Sequence, residues 1–162
     1  MTASLPKKVT QYLEEVDYSD NTGFVPSTFS LEMVNLIKLI DGGMTENITP
    51  PVHLRILDSY VDISGKDVIN LCHRGMAKTS LMEYLIFRIA LYGELPSLGK
   101  IPHMIYVGDT IDGGVKKMRK ALEFKFNNSD FLQQYLQEVK FTDIRWEFIR
   151  KDGKSLVVSA YG

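Results

Sequence analysis

A single cysteine, Cys72, stands in 162 residues, so the chain has no internal disulfide framework and suits a reducing compartment. An excess of one charge is also missing. Lys and Arg number 19 against 20 Asp and Glu, for a formal net charge of −1. That balance excludes a wholly basic, histone-like nucleic-acid binder but allows a local basic face. No apolar run approaches the ~20 residues that cross a bilayer. The opening MTASLPKKVTQYLEE is polar, then acidic, and lacks the pattern of a secretory signal. Export and membrane residence are therefore not expected. Internal repeats and low-complexity tracts are absent too. What remains is ordinary globular composition, 44% hydrophobic, enough for one sizeable core.

Residues 1–48 read as a helical and polar appendage. Pro6 to Val16 suits a short helix and Asp17 to Ser27 is polar. Leu31 to Ile40 has a broad apolar face in Leu31, Val34, Leu36, Ile37 and Ile40, and Asp41-Gly42-Gly43 stops it. Thr49-Pro50-Pro51 is a rigid break that opens the main domain, residues 49–162. Within it, helices are expected at His53 to Tyr60, Lys78 to about Tyr92, Ile111 to about Lys125, and Phe131 to Val139. Strands are expected at Val68 to Leu71 and Ile101 to Val107. Two further strands, Arg145 to Ile149 and Ser155 to Ala160, flank the Asp152-Gly153 turn as a hairpin. That order predicts an α/β fold: a largely parallel sheet flanked by helices, plus a β-hairpin.

The chemistry concentrates in Asp67 to Ser80, DVINLCHRGMAKTS. A short apolar strand, a tight basic loop and a helix opening at Lys78-Thr79 make the layout of a phosphate-binding P-loop. Backbone N–H groups of His73 to Ala77 and of the first helical turn, Ser80 included, would face an anion. Lys78 would reach the β- and γ-phosphate oxygens of ATP, and the Thr79 hydroxyl would ligate Mg²⁺. Cys72 and Ala77 occupy the positions where glycine is usual, and Gly75 is left to supply the left-handed turn. The bland alternative is a chance Lys-Thr at a helix start.

At Arg74-Gly75-Met76-Ala77-Lys78-Thr79 the chain resembles the large terminase subunit of tailed bacteriophages, whose loops often read Arg-Gly-x-(Gly/Ala)-Lys-(Ser/Thr). The proline-containing turn and short helix ahead of the strand, and the strand, helix and hairpin after the P-loop helix, extend the resemblance to about residues 45–162. It implies a P-loop ATPase that powers packaging of double-stranded DNA, with ATP and Mg²⁺ as ligands. The implied partners are the rest of a terminase chain or a second polypeptide, with portal and small terminase subunit in the assembled motor. The implied setting is the cytoplasm of an infected bacterial host. Where many family members have a Gln that reads the adenine edge, this chain has His53. In the family, an apolar strand ending in Asp plus a catalytic acid follows the hairpin; the chain stops at Gly162, so the ATPase domain is expected to be incomplete at its C-terminus. On this resemblance hydrolysis belongs to the complete protein, and the chain alone is expected to be inactive or nearly so.

Other residues admit both functional and bland readings. Arg74 is either a cation aimed at the γ-phosphate, with Lys78 the catalytic pair, or an exposed loop arginine. Asp109, at the end of the strand Ile105-Tyr106-Val107, is a candidate metal acid, though Asp109 or Thr110 also reads as the cap of the next helix. His53, His73 and His103 show no metal-ligand spacing with Cys or acidic residues, and Cys72 reads as a small buried residue at the strand end, not a nucleophile. Lys116, Lys117, Arg119 and Lys120 read as a solvated helix face before a DNA contact. Trp146, Phe148 and Phe141 suit hairpin packing. Two other functions stay open: a non-catalytic interaction module with a relic P-loop, and a fragment of another P-loop ATPase such as a helicase.

Overall fold

The computed structural model describes residues 23–43, 49–62, 68–71 and 74–162. The expected helix at Pro6 to Val16, and Cys72 and His73, lie outside the described residues.

Helix α1 (Thr28–Ile40) starts at Ser27, whose hydroxyl accepts the Ser30 N–H at 3.2 Å and so satisfies one orphan donor of the first turn. It buries Phe29, Met33, Val34, Leu36 and Ile40. Helix α2 (Pro51–Ser59) opens with proline at its first position, where a missing N–H costs no hydrogen bond. Helix α3 (Lys78–Tyr92) runs for 15 residues, and from Leu81 to Ala90 only Met82 is not fully buried. It packs against α1 and α2 and also against the sheet described next, which is why its burial goes round the helix instead of following one stripe. Gly93 ends it in the left-handed conformation, φ 74°. The positive φ favours glycine, and a Cβ there would also have to displace the Arg150 guanidinium.

A small hairpin, β1 (Glu94–Leu95) with β2 (Gly99–Lys100), leads to β3 (His103–Val107). A π-helical turn at Ile111–Val115, capped by Thr110 accepting the Gly113 N–H at 2.9 Å, continues directly into α4 (Lys116–Asn127). Then come α5 (Asp130–Tyr135), β4 (Leu136–Phe141), β5 (Arg145–Arg150) and β6 (Ser155–Tyr161). The main sheet has four strands in the order β3-β6-β5-β4. Inward-facing Trp146, Phe148, Leu156, Val158 and Ala160 alternate along β5 and β6 and are buried. Phe148 meets Phe87 of α3 edge to face, with ring centroids 5.7 Å apart, and meets Phe141 of β4 in the same way at 5.8 Å. These residues and those of α1 and α2 belong to one hydrophobic core. Among the described residues no helix is long and apolar enough to cross a membrane.

The α/β class, α1 to α4 and the β5–β6 hairpin agree with the sequence reading, with ends shifted by a few residues. Three features differ. The sheet is mixed, not largely parallel: β3–β6 is parallel, whereas β5–β6 and β4–β5 are antiparallel. The expected helix over Phe131 to Val139 stops at Tyr135, and from Leu136 the chain joins the sheet as β4. A ladder along β5, with a bulge between Leu136 and Glu138, outweighs the weak helical period of so short a run. Finally, Val68 to Leu71 belongs to neither sheet. A lone strand gains little without a ladder partner, and none stands beside this segment among the described residues. Ile69 and Leu71 are 78% and 92% exposed. The Asn70 amide donates to Ser59 Oγ at 3.1 Å and ties the segment to α2.

Candidate functional site

The loop ahead of α3 is shaped by two left-handed residues. Gly75 has φ 92°, and Ala77 has φ 53° with ψ 16°. Ala77 is the only non-glycine with positive φ among the described residues. A left-handed residue next to right-handed ones points successive N–H groups to one side, which is how a backbone nest for an anion is built. An L-residue held in this region carries strain, and such strain clusters at ligand-binding loops. Glycine freedom at position 75 was expected; the second left-handed residue, an alanine, was not.

Ala77 occupies the cap position of α3, and its carbonyl accepts the Leu81 N–H at 2.9 Å. Its side chain cannot cap, and the first turn contains no acidic residue. The N–H groups of Lys78, Thr79 and Ser80 therefore receive no side-chain cap from Ala77 and no carboxylate from the helix's own first turn. Thr79 and Ser80 are exposed and Lys78 half-buried, while Arg74 and Gly75 are exposed and Met76 half-buried. Of the expected set, residues 74–80 thus form one continuous turn and helix entrance.

His53 comes from the first turn of α2, where its N–H donates to the Pro50 carbonyl at 2.9 Å. Burial alone pushes its imidazole below the usual pKa, favouring the neutral ring. Asp109 follows β3 and is exposed; its Oδ1 accepts the Thr110 N–H at 2.9 Å, and its carboxylate lies against Gly113 and Gly114. That is a turn-forming role, and Thr110 supplies the cap that the sequence suggested for one of the two. Within the basic face of α4, Lys116 pairs with Asp112 at 2.7 Å and Arg119 with Glu123 at 3.4 Å, as on a solvated helix surface. Among the described residues no group of three His, Cys, Asp or Glu is placed to hold a metal ion.

The sequence reading missed a polar network inside the fold. The Tyr84 hydroxyl donates to the Asp41 carboxylate at the end of α1, at 2.7 Å to Oδ2, and accepts from Lys125 Nζ at 2.8 Å. Lys125 also pairs with the buried Glu83 at 3.7 Å. Burial raises the Tyr84 pKa and so does the bond to Asp41; burial likewise raises that of Glu83, against the pull of Lys125. Asp41 and Tyr84 are 43 positions apart, so no local pattern signals the pairing.

Comparison with protein-family models, curated proteins and solved structures yields no match.

Proposed function

We propose that residues 74–79 hold the phosphates of ATP with Mg²⁺, as the nucleotide-binding portion of a P-loop ATPase of the terminase large-subunit kind, a viral DNA-packaging motor. One observation carries the reading: left-handed Gly75 and Ala77 stand directly before an uncapped helix entrance at Lys78-Thr79. Such an entrance points the N–H groups of the first helical turn and the positive dipole end at a phosphate. In this reading Lys78 neutralises β- and γ-phosphate charge, Thr79 places its hydroxyl on the metal, and Arg74 is the cation assigned to the transferring phosphate. His53, neutral through burial, is assigned to the base. In this reading double-stranded DNA, portal and small terminase subunit are partners of the assembled motor. The acid that activates water comes from outside these residues.

Titration with a fluorescent ATP analogue and Mg²⁺ tests it. Binding should weaken at least ~10-fold in Lys78→Ala, and binding unaffected by that change would refute the assignment. The isolated chain should show negligible turnover. A steady ATPase rate abolished by Lys78→Ala would instead promote Asp109 to metal acid. Val68 to Leu71, outside both sheets among the described residues and exposed at Val68, Ile69 and Leu71, favours a second reading, an interaction module with a relic loop. Complete absence of Lys78-dependent binding would support that reading.

A further inference from the structure

Two carboxylates share one ammonium where α1, α3 and α4 meet. Lys125 Nζ donates to the Tyr84 hydroxyl at 2.8 Å and lies over the Tyr84 ring, 4.2 Å from its centroid. That hydroxyl reaches both Asp41 carboxylate oxygens, at 2.7 Å and 3.0 Å. Glu83, next to Tyr84 on α3, is held less well. Among the described residues its ion-pair partner is the same Lys125 Nζ, 3.7 Å from Oε2. An ammonium beside a charged carboxylate closes to about 2.7–2.9 Å when nothing prevents it. Lys125 instead stands closer to a neutral hydroxyl than to Glu83. Glu83 is only 8% exposed, so water does little to stabilise a charge there.

We propose that Glu83 reversibly takes up a proton from solvent, and that this proton decides which group holds Lys125. With Glu83 neutral, Lys125 belongs to Tyr84 and Asp41, which is the arrangement described above, and α1 is tied to α3 and α4. With Glu83 charged, its carboxylate competes for the ammonium and draws it from the hydroxyl, so the Asp41–Tyr84 bond loses its support. The junction is thus a proton-sensitive hold on α1. Tyr84 keeps its own proton throughout, since burial and Asp41 push its pKa above the usual range.

The other ionisable groups around α3 are engaged elsewhere or act on Glu83 weakly. Tyr106 of β3 feels the Glu83 charge. Glu32 of α1 and Glu94 of β1 act on Arg88, further along α3. Asp58 of α2 accepts from Ser27, and Arg150 of β5 lies against Gly93 at the far end of the helix. Strand β6 turns apolar Leu156, Val158 and Ala160 inward. Burial raises the Glu83 pKa above 4.5, Lys125 pulls it back, and Asp41 pushes it up again. A raised folded value means that the stability Glu83 contributes is fully present below 4.5 and lost as pH rises through the folded value. The proposal does not depend on nucleotide binding.

The test is a carboxyl-carbon NMR titration of the full chain, with Glu83 assigned through its own backbone and the Tyr84 ring signals followed alongside. Glu83 should titrate above 4.5, and the Tyr84 ring should shift with the same midpoint as Lys125 changes partner. Lys125→Met should move the Glu83 midpoint further up. In Glu83→Gln the Tyr84 shift should vanish, and the stability of this variant relative to the parent should rise between about pH 4 and about pH 8. A merely structural role would leave that difference the same at every pH. The proposal is overturned by a Glu83 midpoint at or below 4.5, by Tyr84 signals that do not follow Glu83, or by a stability difference that ignores pH. If Glu83→Gln fails to fold, the parent's own Glu83 and Tyr84 titrations decide.

Discussion

Ala77→Gly should stabilise this protein, although replacing alanine by glycine ordinarily costs stability through the freer unfolded chain. Ala77 sits at φ 53°, where an L-residue pays ~1–2 kcal/mol of steric strain. Glycine relieves that strain but costs ~0.5–1 kcal/mol through the freer unfolded chain and loses a half-buried methyl. The net gain is about 0.5 kcal/mol. The mirror substitution isolates the effect. Gly75 has φ 92°, and a Cβ added there meets nothing within 4 Å, so Gly75→Ala adds ~1–2 kcal/mol of backbone strain, offset by ~0.5–1 kcal/mol from the stiffer unfolded chain, for a net loss of about 0.5–1 kcal/mol. Both can be measured by guanidinium unfolding, followed through Trp146, the single tryptophan and fully buried. For a chain of this size each kcal/mol moves Tm by roughly 2–4 °C. Opposite signs are expected for the two variants; destabilisation by both would show that position 77 is not left-handed and would remove the geometric support for the phosphate loop.

Tyr84→Phe should lower stability by ~1–3 kcal/mol in the same assay, because it strands Asp41 and Lys125 in a partly buried setting; an unchanged midpoint would mean that water replaces the hydroxyl at no cost. A separate acid dependence is expected at the hairpin. The Asp152 carboxyl, which accepts the Lys154 N–H and pairs with Arg150, lies below its usual 3.8. Its contribution is therefore present above that value and lost as pH falls through the lower folded one. Asp152→Asn should flatten this part of the stability profile, and an unchanged profile between about pH 5 and about pH 2 would exclude the linkage.

What the sequence could tell depended on how local each cause was. The ends of α3 were legible because Gly75 before Lys78 and Gly93 after Tyr92 are short-range punctuation. The same holds for the hairpin, where Gly153 takes φ 79° next to Asp152. Strand direction was not legible. It depends on which edge β6 meets after two antiparallel turns, and only the finished sheet decides that. The change from α5 to β4 without a breaker was hidden for a similar reason, since Val139 becomes a strand residue only when it lies opposite Phe148. At the candidate site, Lys78 and Thr79 stood out by residue type. The strain at Ala77 did not, because alanine in the left-handed region leaves no mark in a sequence.

Helix α3 touches α1, α2, α4, β5 and β6, so it behaves like an axle held on every side. A rod fixed along one stripe can rock when its end is loaded. One gripped all round can shift only if both layers yield or both move with it. A force at the Lys78 end would therefore reach the sheet and the α1–α2 layer together, with little dissipated inside the helix. Tyr84 and Lys125 stiffen this arrangement where α1, α3 and α4 meet, by tying three helices through one hydroxyl. Among the described residues, α3 is thus the element that joins the loop at Gly75 to Ala77 to both layers at once.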